Sequence, residues 1–137
     1  MKERLKVVSL DITYKCNFRC RHCYNSSGEH NFNNKELSDE EMIILAKEIA
    51  EYNPDSVCIC GGETLLRKEL VYEIGNILKT CDCSYNIVTN GYLMTDEIAN
   101  KLKKSGYSLV QVSIDGLKEN YEWLRGVEGG FEKAVEA

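Results

Sequence analysis

Cys16, Cys20 and Cys23 place three thiols at the spacing C-x3-C-x2-C, in the run Cys-Asn-Phe-Arg-Cys-Arg-His-Cys-Tyr. They sit on a loop that follows an apolar strand. A cubane iron–sulfur cluster has four irons and commonly takes four Cys thiolates. Three local thiolates hold three irons and leave the fourth open to an outside ligand, and an open position is what separates catalytic metal sites from closed structural ones. Zinc bound by Cys16, Cys20, Cys23 and either His22 or His30 is the alternative. Zinc prefers four closed ligands, often in C-x2-C pairs. Here one pair has three intervening residues and no fourth Cys lies nearby, which favours the cluster. His22 then has two readings, a metal ligand or a ring flanking the cluster. His30, among asparagines, reads as a solvated loop residue.

Other polar motifs follow apolar runs. Gly61-Gly62-Glu63-Thr64 is a plain βα turn or a place where backbone approaches a ligand closely, because paired glycines permit both. Thr89-Asn90-Gly91 is a tight turn by composition. In Ser113-Ile114-Asp115-Gly116 the period of two puts Ser113 and Asp115 on one side. Ser113 can donate to a carboxylate, whereas Asp115 only accepts and suits hydroxyls, or else caps a turn. Arg125, in the polar segment 121–126, is either a surface cation or a bidentate partner for a carboxylate. Cys58, Cys60, Cys81 and Cys83 read as small structural hydrophobes.

These motifs need elements to position them. Strands are expected at residues 5–13, 56–60, 85–89 and 109–114 from their apolar content. Ser38-Asp39-Glu40-Glu41 is a capping box that opens a helix with Met42, Leu45, Ala46 and Ile49 on one stripe. A second helix carries Leu70, Ile74, Ile77 and Leu78. A third is capped by Thr95 and closed by Ser105-Gly106, with Ile98 and Leu102 inward. A fourth follows Gly129-Gly130. Alternating strands and helices predict parallel strands with right-handed crossovers. Ligand sites on such sheets lie at the carboxyl ends of the strands. The Cys loop, Gly61–Glu63, Thr89–Gly91 and Ser113–Gly116 should therefore converge on one rim. The loop at residues 14–37 is long enough to be functional rather than a mere connector.

The 137 residues suffice for one domain with a real core. Apolar content of 43% and charged content of 28% argue against disorder. A net charge of −5 weighs against a non-specific basic surface for nucleic acid or anionic membrane. The charged start, Met1–Lys6, opens no long apolar segment, so the expected location is cytoplasmic. Seven cysteines are an odd number for a disulfide framework.

The Cys triplet, Gly-Gly-Glu, Thr-Asn-Gly and Ser-Ile-Asp-Gly together resemble the radical S-adenosylmethionine (radical SAM) enzymes, in the family's order and over nearly the whole chain. The resemblance implies a [4Fe-4S] cluster on Cys16, Cys20 and Cys23, with S-adenosylmethionine on the open iron. It places His22 near the adenine, and Gly61, Gly62 and Glu63 at the methionyl amino group. It adds cofactor contact from Thr89 and Asn90, beside the contacts that the chemistry of Ser113, Asp115 and Arg125 offers. Thr64 stands where the family often has Pro, a mild departure. The implied chemistry is reductive cleavage to a 5′-deoxyadenosyl radical that abstracts a substrate hydrogen. The implied fold is α/β, a partial (β/α) barrel. Its core normally has six βα units, and residues 1–137 supply about four, as a truncated core domain. The chain is then a fragment or one part of a split enzyme, and the open edge of its fourth strand invites self-association. The first loop looks most like the branch that matures peptides and cofactors, with a peptide as substrate and flavodoxin or ferredoxin as electron donor. A non-catalytic iron–sulfur electron-transfer protein and a zinc-binding interaction module are the alternatives from other classes. Neither accounts for the Gly-Gly-Glu and Ser-Ile-Asp-Gly turns on the same rim.

Overall fold

A computed structural model describes residues 5–28 and 36–137; His30 lies outside them. The strands are β1 (Val7–Asp11), β2 (Ser56–Cys60), β3 (Ser84–Thr89) and β4 (Leu109–Val112). The helices are α1 (Asp39–Tyr52), α2 (Lys68–Leu78), α3 (Asp96–Lys104), α4 (Lys118–Arg125) and α5 (Gly130–Glu136). A 3-10 turn at Thr64–Arg67 leads into α2. All strands are parallel, in the order β1-β2-β3-β4. This is the α/β partial barrel that the strand–helix alternation predicts.

The capping box of α1 is complete: Glu41 N–H donates to the Ser38 hydroxyl and Ser38 N–H to the Glu41 carboxylate. Met42, Ala46 and Ile49 are its buried stripe. Thr95 accepts from Ile98 N–H at the head of α3. One sheet face buries Leu10, Val57, Ile59, Tyr85 and Ile87 against α1, α2 and α3. Residues of opposite parity, among them Ser9, Cys58, Asn86 and Gln111, lie on the other face, which remains half-buried to exposed.

Three expectations need correction. β1 and β4 are shorter than the apolar runs, because Thr13 and Ser113 already belong to the rim turns. Residues 118–125 form a helix, α4, where the sequence reads as a polar segment; its only buried side chains are Tyr121 and Arg125, four residues apart on one stripe. Cys81 and Cys83 are joined as a disulfide rather than free, the turn before β3 holding their Cα atoms 5.4 Å apart.

Candidate active site

The four motifs do converge at the carboxyl ends of the strands. They surround a cavity of about 270 Å³ lined by Cys16, Cys20, His22 and Cys23 from the first loop, by Cys60, Gly61 and Gly62 after β2, by Thr89 and Asn90 after β3, and by Ser113 and Arg125.

The Cys loop is held from both ends. Thr13 directs its hydroxyl to the Glu36 carboxylate, and Tyr14 N–H reaches the same carboxylate at 2.7 Å. Gly62 N–H donates to Thr13 O at 2.7 Å and Glu63 N–H to Lys15 O at 2.9 Å. These two amides are therefore engaged inside the protein. A Cβ on Gly62 would stand 2.2 Å from Lys15 O, and one on Gly61 2.6 Å from Thr13 O. The glycine pair is needed for this close passage of two backbones. On the far side, Arg21 N–H donates to Leu124 O at 2.8 Å and the Arg21 side chain to Trp123 O at 2.9 Å. The guanidinium lies over the Trp123 ring, 4.8 Å from its centroid. Between the thiols, Phe18 is 2% exposed and meets Tyr92 edge-on at 5.5 Å. Sequence reasoning missed Phe18 as an anchor; its signal is an apolar ring in an otherwise polar loop.

Glu63 is 1% exposed. Its carboxylate accepts from Thr89 Oγ1 (2.6 Å), Asn90 N–H (2.8 Å) and Leu65 N–H (3.0 Å). Glu63 and Thr89 thus tie the turn after β2 to the end of β3, and Thr89 also lines the cavity. Burial nevertheless raises the Glu63 carboxyl above its ordinary value, outweighing these hydrogen bonds. Asn90 bridges onward: its amide donates to Asn17 Oδ1 at 2.9 Å and its oxygen accepts from Tyr92 N–H.

Arg125 is buried, so the surface-cation reading is set aside. Its Nε donates to Asp115 Oδ2 at 2.6 Å, and the guanidinium packs 5.3 Å from the Tyr121 ring centroid. His22 Nε2 lies 3.6 Å from the same Asp115 oxygen. Arg125 Nη1 reaches 4.0 Å from Cys20 Sγ. Asp115 and Arg125, read separately from the sequence as partners of a ligand, are partners of each other.

The thiols already accept hydrogen bonds. Phe18 N–H donates to Cys16 Sγ and Ser27 N–H to Cys23 Sγ, both at 3.4 Å. Burial raises the Cys16 and Cys20 thiols, partly offset by the Phe18 amide and by Arg125 respectively. Among the described residues, no three His, Cys, Asp or Glu side chains focus on a single-ion position.

A parallel sheet carrying its thiols and glycine turns on one rim defines a partial (β/α) barrel with its site at the strand ends. The chain belongs to the radical SAM superfamily, whose family model matches residues 10–137. Members of that family bind a [4Fe-4S] cluster and S-adenosylmethionine. The chain is 37% identical over 134 residues to the Fe-coproporphyrin III synthase of Methanosarcina barkeri, covering 98% of this chain and 33% of that protein. It is 32% identical to the sporulation killing factor maturation protein SkfB of Bacillus subtilis, covering 93% of this chain and 30% of SkfB. Streptococcus suis SuiB, solved with its precursor peptide SuiA, shares the fold at a TM-score of 0.70 and 19% identity, over 97% of this chain and 29% of SuiB. The chain spans about a third of the length of these two curated relatives. Among the described residues, no helix is long and apolar enough to cross a membrane.

Proposed function

We propose that Cys16, Cys20 and Cys23 hold a [4Fe-4S] cluster and that the adjoining cavity takes S-adenosylmethionine. The observation that carries this is one cavity shared by all three thiols and by the turns after β2 and β3. The donor set fits: three thiols already accept or approach N–H donors that favour thiolate.

Held by Cys16, Cys20 and Cys23 beside the cavity, a reduced cluster with S-adenosylmethionine would supply radical abstraction of a substrate hydrogen. The chain's own residues bind and orient. His22 stands at the rim to flank the adenine, and the Arg125–Asp115 pair fixes charge beside Cys20. Ser113 offers a hydroxyl to the cofactor's carboxylate or ribose. Gly61 and Gly62 bring backbone to the cavity wall, and Glu63 with Thr89 and Asn90 sets that wall's position. Peptide or cofactor maturation is the reaction class we favour, supported by likeness to SkfB and to SuiB, which was solved with a precursor peptide. A flavodoxin or ferredoxin would deliver the electron, in the cytoplasm.

The test is anaerobic reconstitution with iron and sulfide, followed by reductant and S-adenosylmethionine. Formation of 5′-deoxyadenosine is expected to require all three cysteines, and Cys20→Ala is expected to abolish both cluster and cleavage. A full cluster with normal cleavage in Cys20→Ala refutes the ligand assignment. Tight zinc uptake with no cluster refutes the enzyme reading.

A further inference from the structure

We propose that the Ser27 hydroxyl donates a hydrogen bond to cluster sulfur on the Cys23 side and thereby raises the cluster's reduction potential. The inference rests on the cluster reading above and adds a residue that the motifs do not contain. Ser27 is 3% exposed and borders the cavity that the three thiols share. Its Oγ is buried and has no hydrogen-bond partner. A buried hydroxyl gives up its bonds to water, so such groups are nearly always paired within the folded protein. The partner that completes Ser27 is therefore sought in what the cavity holds.

The surrounding chain places the hydroxyl beside one particular thiol. Ser27 N–H donates to Cys23 Sγ at 3.4 Å, so the residue already lies against that sulfur. Ser26 N–H donates to Cys23 O at 3.2 Å and Gly28 N–H to Tyr14 O at 2.9 Å. These bonds fold the turn back onto the ligand loop. A Cβ on Gly28 would collide with the Arg19 guanidinium and stand 3.0 Å from Cys16 O, so the turn packs closely there. An ordered water is the competing partner, and it needs two to four polar partners of its own. The three N–H groups of Ser26, Ser27 and Gly28 are already engaged. Cluster sulfur is anionic and accepts several donors, and hydrogen bonds to it are one of the levers that set its potential. Rotation about χ1 offers the hydroxyl three staggered positions around the backbone that holds Cys23. A donor at sulfur favours the form that carries the extra electron, so it eases reduction.

The test is an anaerobic redox titration of the reconstituted full chain, followed by electron paramagnetic resonance of the reduced cluster. Ser27→Ala should lower the midpoint potential, shifting the reduction equilibrium about tenfold toward the oxidised form, about 59 mV for one electron. Ser27→Thr keeps the hydroxyl and should restore the wild-type value. Iron content and far-ultraviolet circular dichroism report loading and folding. An unchanged potential in fully loaded Ser27→Ala overturns the inference. So does an unchanged potential with weakened S-adenosylmethionine binding, which assigns the donor to the cofactor instead. If Ser27→Ala takes up no cluster, Ser27→Thr is compared with its isostere Ser27→Val. A Thr variant that loads and titrates no better than the Val variant overturns the inference. A wild-type chain that takes up no cluster fails the proposed function and this inference with it, whereas a full cluster indifferent to Ser27 fails this inference alone.

Discussion

Glu63 shows how a residue's surroundings decide its work. Three donors converge on a carboxylate that water does not reach. In Glu63→Gln one oxygen becomes an NH2 group that faces donors, so the variant should lose about 1–3 kcal/mol, read as a drop in melting temperature. The folded carboxyl is raised, so the native state binds its proton more tightly than the unfolded chain does. That contribution is full below the ordinary value of 4.5 and is lost as pH rises through the folded pKa. The wild-type advantage over Glu63→Gln should therefore narrow as pH is raised from 4.5, measured by denaturant titration at each pH. The raised Cys16 and Cys20 thiols have the opposite practical consequence. Metal must displace their protons, so iron loading should release protons and strengthen as pH rises from 7 toward their ordinary 9.0. A pH-stat during anaerobic reconstitution checks this. The three Cys were legible because spacing alone encodes them. The Asp115–Arg125 pair was not, because nothing in the sequence says that a helix returns residue 125 beneath residue 115.

Among the elements, the first loop is the one whose shape depends most on its neighbours. The regular strands and helices were legible: the capping box and the stripe of α1 follow from local chemistry, and the parallel order from strand–helix alternation. α4 was not, since its segment carries too few apolar positions to advertise a helix, and it is held by Tyr121 and Arg125. Phe18→Ala should cost about 3–5 kcal/mol by emptying the base of the loop. Cluster yield should fall with it, while the α1 to α3 core, read by hydrogen exchange, keeps its protection. Gly62→Ala forces its new carbon against the Lys15 carbonyl. It should cost about 1–3 kcal/mol or displace the loop, and thermal unfolding together with iron content distinguishes the two.

In the whole molecule, one sheet face is sealed by helices and the other is left polar and accessible. Periodicity foretold the sealed face, whose residues alternate with Ser9, Cys58, Asn86 and Gln111 on the open one. Among the described residues β4 pairs with β3 alone. An unpaired parallel edge invites pairing with another chain, so the isolated 137 residues should self-associate with rising concentration in sedimentation experiments. Substituting Gln111 or Leu109 with Lys should reduce that association.

The grip of Arg21 on Leu124 and Trp123 spans about a hundred residues of sequence. A ribosome delivers the three thiols early, yet the far wall that clamps them is translated only near the end of this stretch. Iron delivered to the nascent chain would meet a loop fastened on one side only. Stable cluster insertion is thus expected only once the segment through Trp123 and Leu124 has been made and has folded against the loop.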